Sequence, residues 1–361
     1  MCAGLQVTPY AWIAARSAWL SCPEELRDQL DIRIHFFGVK RAEGRQLEQA
    51  FSNQPYVNFE HNTILIDEQK GLGGEHFYQW TSPKARKFIA KIARRIPPLR
   101  SSAKLWLGRL RLGLYHQEWI NQVCTDNAEA NAIVVLDSDL FLADQRFYAP
   151  EQMSLDSQTY GGGWVWRNNN EIRYQGQSLY PLGTELFIIN PAKHIQINQQ
   201  FSNRDKSLFE RLQIDHPGVD IQDATFFDTL FYASWEAQLR GYKADIRFHD
   251  LAVCHPGGVG HLRPEYLTQP MPNLSPEERI SRLRVTIGRV RLHHRVLDFI
   301  RELGMADLLN PQLLNRLKQL RELIQSNPEL IQIWEDETHK IEGEDHFEEV
   351  MKLITKTPTA R

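Results

Sequence analysis

Two carboxylates one residue apart, Asp137 and Asp139, follow directly on the wholly apolar run Ile133-Val134-Val135-Leu136. Paired hard oxygen donors suit Mg²⁺ or Mn²⁺. A cation held there can bind a diphosphate and neutralise the charge that grows on a leaving group. A bare D-x-D is commonly a solvated turn. A buried strand before it changes its meaning, because ligands of open α/β sheets gather beyond the carboxyl ends of the strands. A second group is Cys254-His255-Pro256-Gly257-Gly258-Val259-Gly260-His261. Histidine is a common metal ligand, and glycines let backbone approach a phosphate closely; the plainer reading is a glycine-rich turn around a hydrogen-bonded histidine. The third is Asp220-Ile221-Gln222-Asp223 at the start of a helical pattern. Asp223 suits a helix N-cap, the simpler role on spacing alone, or a general base taking a proton from an acceptor hydroxyl.

The elements that must position these groups alternate in type. Residues 4–7, 32–39, 57–59 and 63–66 read as short strands, and 10–20, 45–51, 84–95 and 114–124 as helices. The run 133–136 is short, β-branched and apolar, which predicts a strand buried on both faces, as in a parallel sheet. Residues 186–189 and 244–248 read as further strands, and 223–239 as one long helix stopped at Gly241. From Ser275 the pattern is nearly all helix, broken at Gly304, Asn310-Pro311 and Asn327-Pro328. Strands alternating with helices predict an α/β fold. The cluster Pro264, Pro270, Pro272 and Pro276 suggests a boundary, giving a catalytic domain over 1–270 and a helical extension over 271–361.

In order and context these groups resemble the GT-A-fold glycosyltransferases, which use nucleotide-diphosphate sugars. A strand runs into Asp137-Ser138-Asp139, a later strand opens Leu182-Gly183-Thr184-Glu185, and the acidic Asp223 precedes Leu239-Arg240-Gly241-Tyr242-Lys243. A final strand leads to His255-Pro256-Gly257-Gly258. The likeness covers about residues 1–265. It implies a Rossmann-like, mostly parallel sheet flanked by helices. It implies Asp137, Asp139 and His255 as ligands of Mn²⁺ or Mg²⁺, and Asp223 as the base of an inverting hexosyltransferase-like reaction. Thr8, Thr184, Glu185, Gly257 and Gly258 become substrate-binding candidates, with Thr8 in the loop for the base and ribose. The implied partners are a nucleotide-diphosphate sugar and a glycan or glycolipid acceptor. Asp223 follows Gln222 rather than the glutamate often found there, and Asp220 is a nearby substitute.

Composition narrows the classes. The 361 residues are 42% hydrophobic and 24% charged, which excludes a disordered or collagenous chain. Forty-two basic and 45 acidic residues leave a formal charge of −3, so no nucleic-acid partner is expected. Local patches exist. Residues 84–111 hold ten lysines and arginines and no acid, and 279–301 repeat the theme around His293-His294, which reads as a surface pair. Both patches suit either a solvated face or contact with anionic lipid. An acidic stretch, 335–349, could screen them. Trp164 and Trp166 after Gly161-Gly162-Gly163 suit stacking on a sugar ring or simple packing. No apolar stretch reaches the roughly 18 residues of a membrane span, the first residues do not read as a signal peptide, and Cys2, Cys22, Cys124 and Cys254 form no C-x-x-C pair. These features predict free thiols in a reducing cytoplasm, with possible contact at the inner face of a membrane. Competing classes are a haloacid-dehalogenase-type phosphatase, disfavoured by Phe141 where Thr or Val belongs, and a nucleotidyltransferase, disfavoured by the lack of glycines over 8–17. A non-catalytic sugar- or membrane-binding scaffold is the third.

Overall fold

A computed structural model describes residues 2–3, 8–36, 56–61, 120–165, 170–197, 207–221, 230–257, 262, 264–268, 274–336 and 343–356. The expectations for 4–7, 45–51, 63–66, 84–111, 114–119, Trp166, Asp223, Gly258 and His261 lie outside these residues.

In chain order the elements begin with strand β1 (Cys2–Ala3), helix α1 (Thr8–Ser21), and strands β2 (Ile32–Phe36) and β3 (Val57–His61). Next come β4 (Ile133–Leu136), β5 (Phe141–Leu142), β6 (Thr159–Val165), the hairpin β7 (Ile172–Tyr174) and β8 (Gln177–Leu179), and β9 (Leu182–Ile189). Helices α2 (Pro191–Ile197), α3 (Ser207–Asp215) and α4 (Phe231–Leu239) precede β10 (Lys243–Ile246) and β11 (Val253–Cys254). The chain then runs through α5 (Pro276–Glu302), α6 (Pro311–Gln325), α7 (Pro328–Glu335) and α8 (Glu344–Lys356).

The fold is mixed α/β with small sheets, some of them parallel. The chain divides into two compact units. The first comprises 1–61, 137–148 and 250–361; the second comprises 62–136 and 149–249.

In the first unit β1, β2 and β3 form a parallel sheet, and β5 pairs antiparallel with β11. Helix α1 buries Tyr10, Ile13 and Ala14 completely. It packs against β5, and Ser17 Oγ accepts from the Leu142 backbone N–H at 3.1 Å. The long α5 starts as the sequence dictates. Ser275 and Glu278 form a reciprocal capping box, Pro276 fills the first turn, and the chain leaves through Gly304 at φ +72°. Helix α8 covers α1, β5 and β11, inserting Phe347 between Phe141 and Phe299 at ring separations of 5.9 and 6.0 Å.

The basic stripe of α5 finds acids within this unit. Arg291 grips Glu344, Arg295 meets Glu348, Arg279 meets Glu329 and Arg284 meets Asp336. Four arginines of the 279–301 patch, which suited a solvated face or anionic lipid, thus meet acids on or beside helices α7 and α8. His293 is wholly buried rather than on the surface.

In the second unit the sheet order is β10-β6-β9-β4. Strand β4 pairs antiparallel with β9 and, among the described residues, ends the sheet. The expectation that 133–136 lies in a parallel sheet with both faces buried is thus corrected, and its first two residues are only half-buried. The physical reason is the connection. The chain passes from β6 through the β7–β8 hairpin and returns on β9, which sets β9 antiparallel to β6, and β4 pairs on the other edge of β9, running in the same direction as β6. Gly161 and Gly163 sit where β6 presses on β9. A Cβ on either would stand 2.6 Å from a β9 carbonyl oxygen, so this glycine run is explained by strand packing. Trp164 Nε1 donates to the Phe248 carbonyl at 3.4 Å, a packing role.

Of the long helix expected over 223–239, residues 223–229 lie outside the described residues, and the described part is corrected at Leu230. Leu230 adopts φ +67°, and the helix begins at Phe231. Its end matches the reading, with Gly241 at φ +88° in the left-handed position that favours glycine. Burying Trp235 and Phe231 with Leu212 and Ile172 fixes α4 in this unit's core.

A buried polar chain in this unit predicts a pH dependence. Tyr160 Oη donates to His194 Nδ1 at 2.9 Å, and His194 Nε2 donates to Asn121 Oδ1 at 2.7 Å. Burial pushes the His194 pKa down to about 4. The unfolded chain takes up this proton near pH 6.5 and the folded chain does not. Stability is therefore full above pH 6.5 and falls as pH drops toward 4, by about 3 kcal/mol from this group. Urea midpoints at pH 7.5 and 4.5 should fall further for the natural chain than for His194→Gln. Equal falls would refute the assignment.

Candidate metal centre

Asp137, Ser138 and Asp139 form a turn closed by the Leu140 N–H on the Asp137 carbonyl at 3.1 Å. The chain then enters β5. The register of β5 with β11 is Phe141 opposite Cys254 and Leu142 opposite Val253. Asp139 lies two residues before the start of β5 and His255 follows β11 directly, so antiparallel pairing brings them together across 116 residues of sequence. The Ala143 N–H extends the ladder to the Ala252 carbonyl at 3.2 Å. Asp144 braces it, accepting from the Ala252 N–H at 3.2 Å and from Arg146.

His255 Nε2 stands 3.4 Å from Asp139 Oδ1 and 3.8 Å from Asp137 Oδ2. One donor atom from each of the three residues falls within a 4.8 Å span. Two donors on a cation with bonds of about 2.1 Å stand about 3 to 4 Å apart, so the spacing fits a small divalent ion. Asp139 is buried at 5% exposure, and among the described residues nothing hydrogen-bonds its Oδ2. A buried carboxylate oxygen without a partner is costly; a cation would satisfy it. Burial works to raise the Asp139 pKa. The charge and hydrogen bonding of His255, with smaller help from His293 and the Asp139 N–H, outweigh burial and hold it low. The pocket is built for positive charge, and its carboxylate stays ionised.

Behind the ligands lies a contact that sequence reading missed. Tyr10 Oη and His293 Nδ1 are 2.8 Å apart, and His293 Nε2 donates to the Gly257 carbonyl at 3.1 Å. Gly257 has φ +85°, and the exposed guanidinium of Arg289 lies against it. No spacing signal links Tyr10, His293 and Gly257. The only hint was a histidine pair in a helix whose neighbours are apolar.

The remaining candidates are placed separately. Thr8 is the first residue of α1 rather than a loop residue. Thr184 and Glu185 are half-buried on β9 in the second unit. Asp220 bridges to β7, exchanging backbone hydrogen bonds of 2.8 Å with Arg173. Asp223 and Gly258 are outside the described residues. Comparisons with protein-family models, curated proteins and solved structures find no match to this chain. Among the described residues no helix is long and apolar enough to cross a membrane. Cys22, Cys124 and Cys254 are buried free thiols, and burial lifts the Cys124 pKa to about 12.

Proposed function

We propose that this chain is a metal-dependent glycosyltransferase that moves a sugar from a nucleotide-diphosphate donor to the hydroxyl of a glycan or glycolipid. The observation that carries the reading is the convergence of Asp137, Asp139 and His255, with a buried Asp139 oxygen that has no hydrogen-bond partner among the described residues. The ordered resemblance to GT-A enzymes supplies the reaction class, and the α/β fold is compatible with it.

Asp137, Asp139 and His255 would hold Mn²⁺ or Mg²⁺. A bound divalent cation supplies electrostatic neutralisation of the departing diphosphate. The resemblance assigns Gly257 and Gly258 to the phosphates, and the Arg289 guanidinium lies against Gly257. The resemblance by itself assigns Thr184 and Glu185 to sugar or acceptor hydroxyls and Thr8 to the nucleoside side. In the transfer, the bond from the anomeric carbon to the phosphate oxygen breaks as the acceptor oxygen bonds to that carbon from the opposite face. The acceptor's proton passes to the Asp223 carboxylate, and the nucleoside diphosphate leaves with the electron pair of the broken bond. The anomeric centre inverts.

A thermal-shift screen of nucleoside diphosphates and nucleotide sugars, with and without Mn²⁺, tests the reading. A ligand that binds only the folded state must raise its stability. A Mn²⁺-dependent shift with one base supports the proposal and identifies the donor's base. No shift with any of them refutes it. Asp223→Asn should bind donor near-normally and turn over at least about 10²-fold more slowly, the size of a general-base contribution. Full turnover in that variant would remove Asp223 from the chemistry.

A further inference from the structure

We infer that His293 is a positioning residue for the metal centre: through the Gly257 carbonyl it fixes the backbone that carries His255, which makes helix α5 part of the site. The inference rests on reading Asp137, Asp139 and His255 as metal ligands.

His293 lies midway along α5 and is wholly buried, among Leu292, Val296 and Leu297. A leucine would fill such a position at no polar cost. A buried imidazole is tolerated there because both ring nitrogens are engaged. The Gly257 carbonyl can only accept, so Nε2 carries the proton, and Nδ1 accepts from the Tyr10 hydroxyl. The two partners belong to the two sides of the centre. Gly257 is two residues beyond His255. Tyr10 packs its ring on Phe141 at 6.2 Å, two residues beyond Asp139. One buried chain thus reaches both ligand-bearing strands. It acts on a freely adjustable point of the chain, because Gly257 at φ +85° is a glycine that can adopt many backbone conformations and the hydrogen bond selects one. The hydrogen bond sets the direction of the 255–257 backbone and with it the approach of the imidazole to Asp139.

Outer partners of metal ligands typically change affinity 10- to 100-fold when lost. Mn²⁺ binding to the full chain, without nucleotide, can be titrated by the electron paramagnetic resonance of free Mn²⁺. All variants are compared at a temperature where circular dichroism shows them folded. His293→Leu should raise the Mn²⁺ Kd about tenfold or more. His293→Gln, whose amide can both donate and accept, should return it to within about threefold of the natural chain, and Tyr10→Phe should raise it about threefold. Phe231→Leu, a core change in the second unit, should lower Tm without moving the Kd. A Kd for His293→Leu within about twofold of the natural chain, whatever its Tm, overturns the inference. If that variant does not fold, Tyr10→Phe decides, and an unchanged Kd there overturns it. Failure of the natural chain to bind Mn²⁺ would overturn the metal centre as well, whereas natural binding with unaffected variants overturns only the role of His293.

Discussion

Asp139→Ala abolishes Mn²⁺-dependent binding of donor nucleotide while the fold survives. Three side chains supply the donor set, and Asp139 is the one buried and the one whose Oδ2 has no partner among the described residues. Removing it deletes a ligand outright, so the loss should exceed the roughly 10- to 100-fold that outer partners cause. Asp139→Asn keeps the volume but not the charge, and should bind Mn²⁺ nearly as poorly, because the site is shaped for an anion paired with positive charge. The fold should persist because, among the described residues, the side chain that contacts the Asp139 carboxylate is His255, which is partly exposed. Calorimetric titration of Mn²⁺ with nucleoside diphosphate, beside a melting curve, checks both parts. An unchanged affinity in a folded Asp139→Ala protein would remove the metal assignment.

Arg291→Ala should cost about 3–5 kcal/mol of stability, the usual loss when one member of a buried ion pair is removed. Arg291 Nε and Nη2 donate to the two Glu344 oxygens at 3.0 and 2.8 Å, and Nη1 donates to the Trp334 carbonyl at 2.9 Å. The Glu344 side chain is 2% exposed. Without Arg291 this buried carboxylate loses two charge-assisted hydrogen bonds, at the first turn of the helix that covers β5 and β11. Such a loss is a large share of a domain's usual total of about 5–15 kcal/mol. The double replacement Arg291→Met with Glu344→Leu should recover most of it, because two apolar side chains need no partner. Urea unfolding measures both variants. A cost below about 1 kcal/mol for Arg291→Ala would show that the pair is no stronger than a surface bridge.

Local signals in this chain were read correctly where local physics decides. The capping residues Ser275 and Glu278, the stop at Gly241, and the breaks at Gly304, Pro311 and Pro328 sit where their backbone preferences put them. The apolar runs 133–136 and 186–189 are strands because β-branched side chains pack well on a pleated sheet. Their direction was not legible. An apolar strand looks alike in parallel and antiparallel neighbours; the return through β7 and β8 sets β9 antiparallel to β6, and β4 joins the far edge of β9 in the direction of β6. Helix α4 starts late for a similar reason, since Leu230 takes a left-handed conformation that no propensity of leucine foretells.

At the proposed metal centre the sequence by itself determined the residue types: two carboxylates after an apolar strand, and a histidine before glycines. Tertiary structure decided that they meet. The two-residue pairing of β5 with β11 closes a gap of more than a hundred residues, and no local preference specifies a partner at that distance. Tertiary structure also decided the fate of the arginines and of His293. An amphipathic basic helix has the same sequence whether it faces lipid, water or an acidic helix. Here the acids of α7 and α8 take the charges, and burial of His293 becomes affordable because Tyr10 and Gly257, from remote segments, satisfy both ring nitrogens.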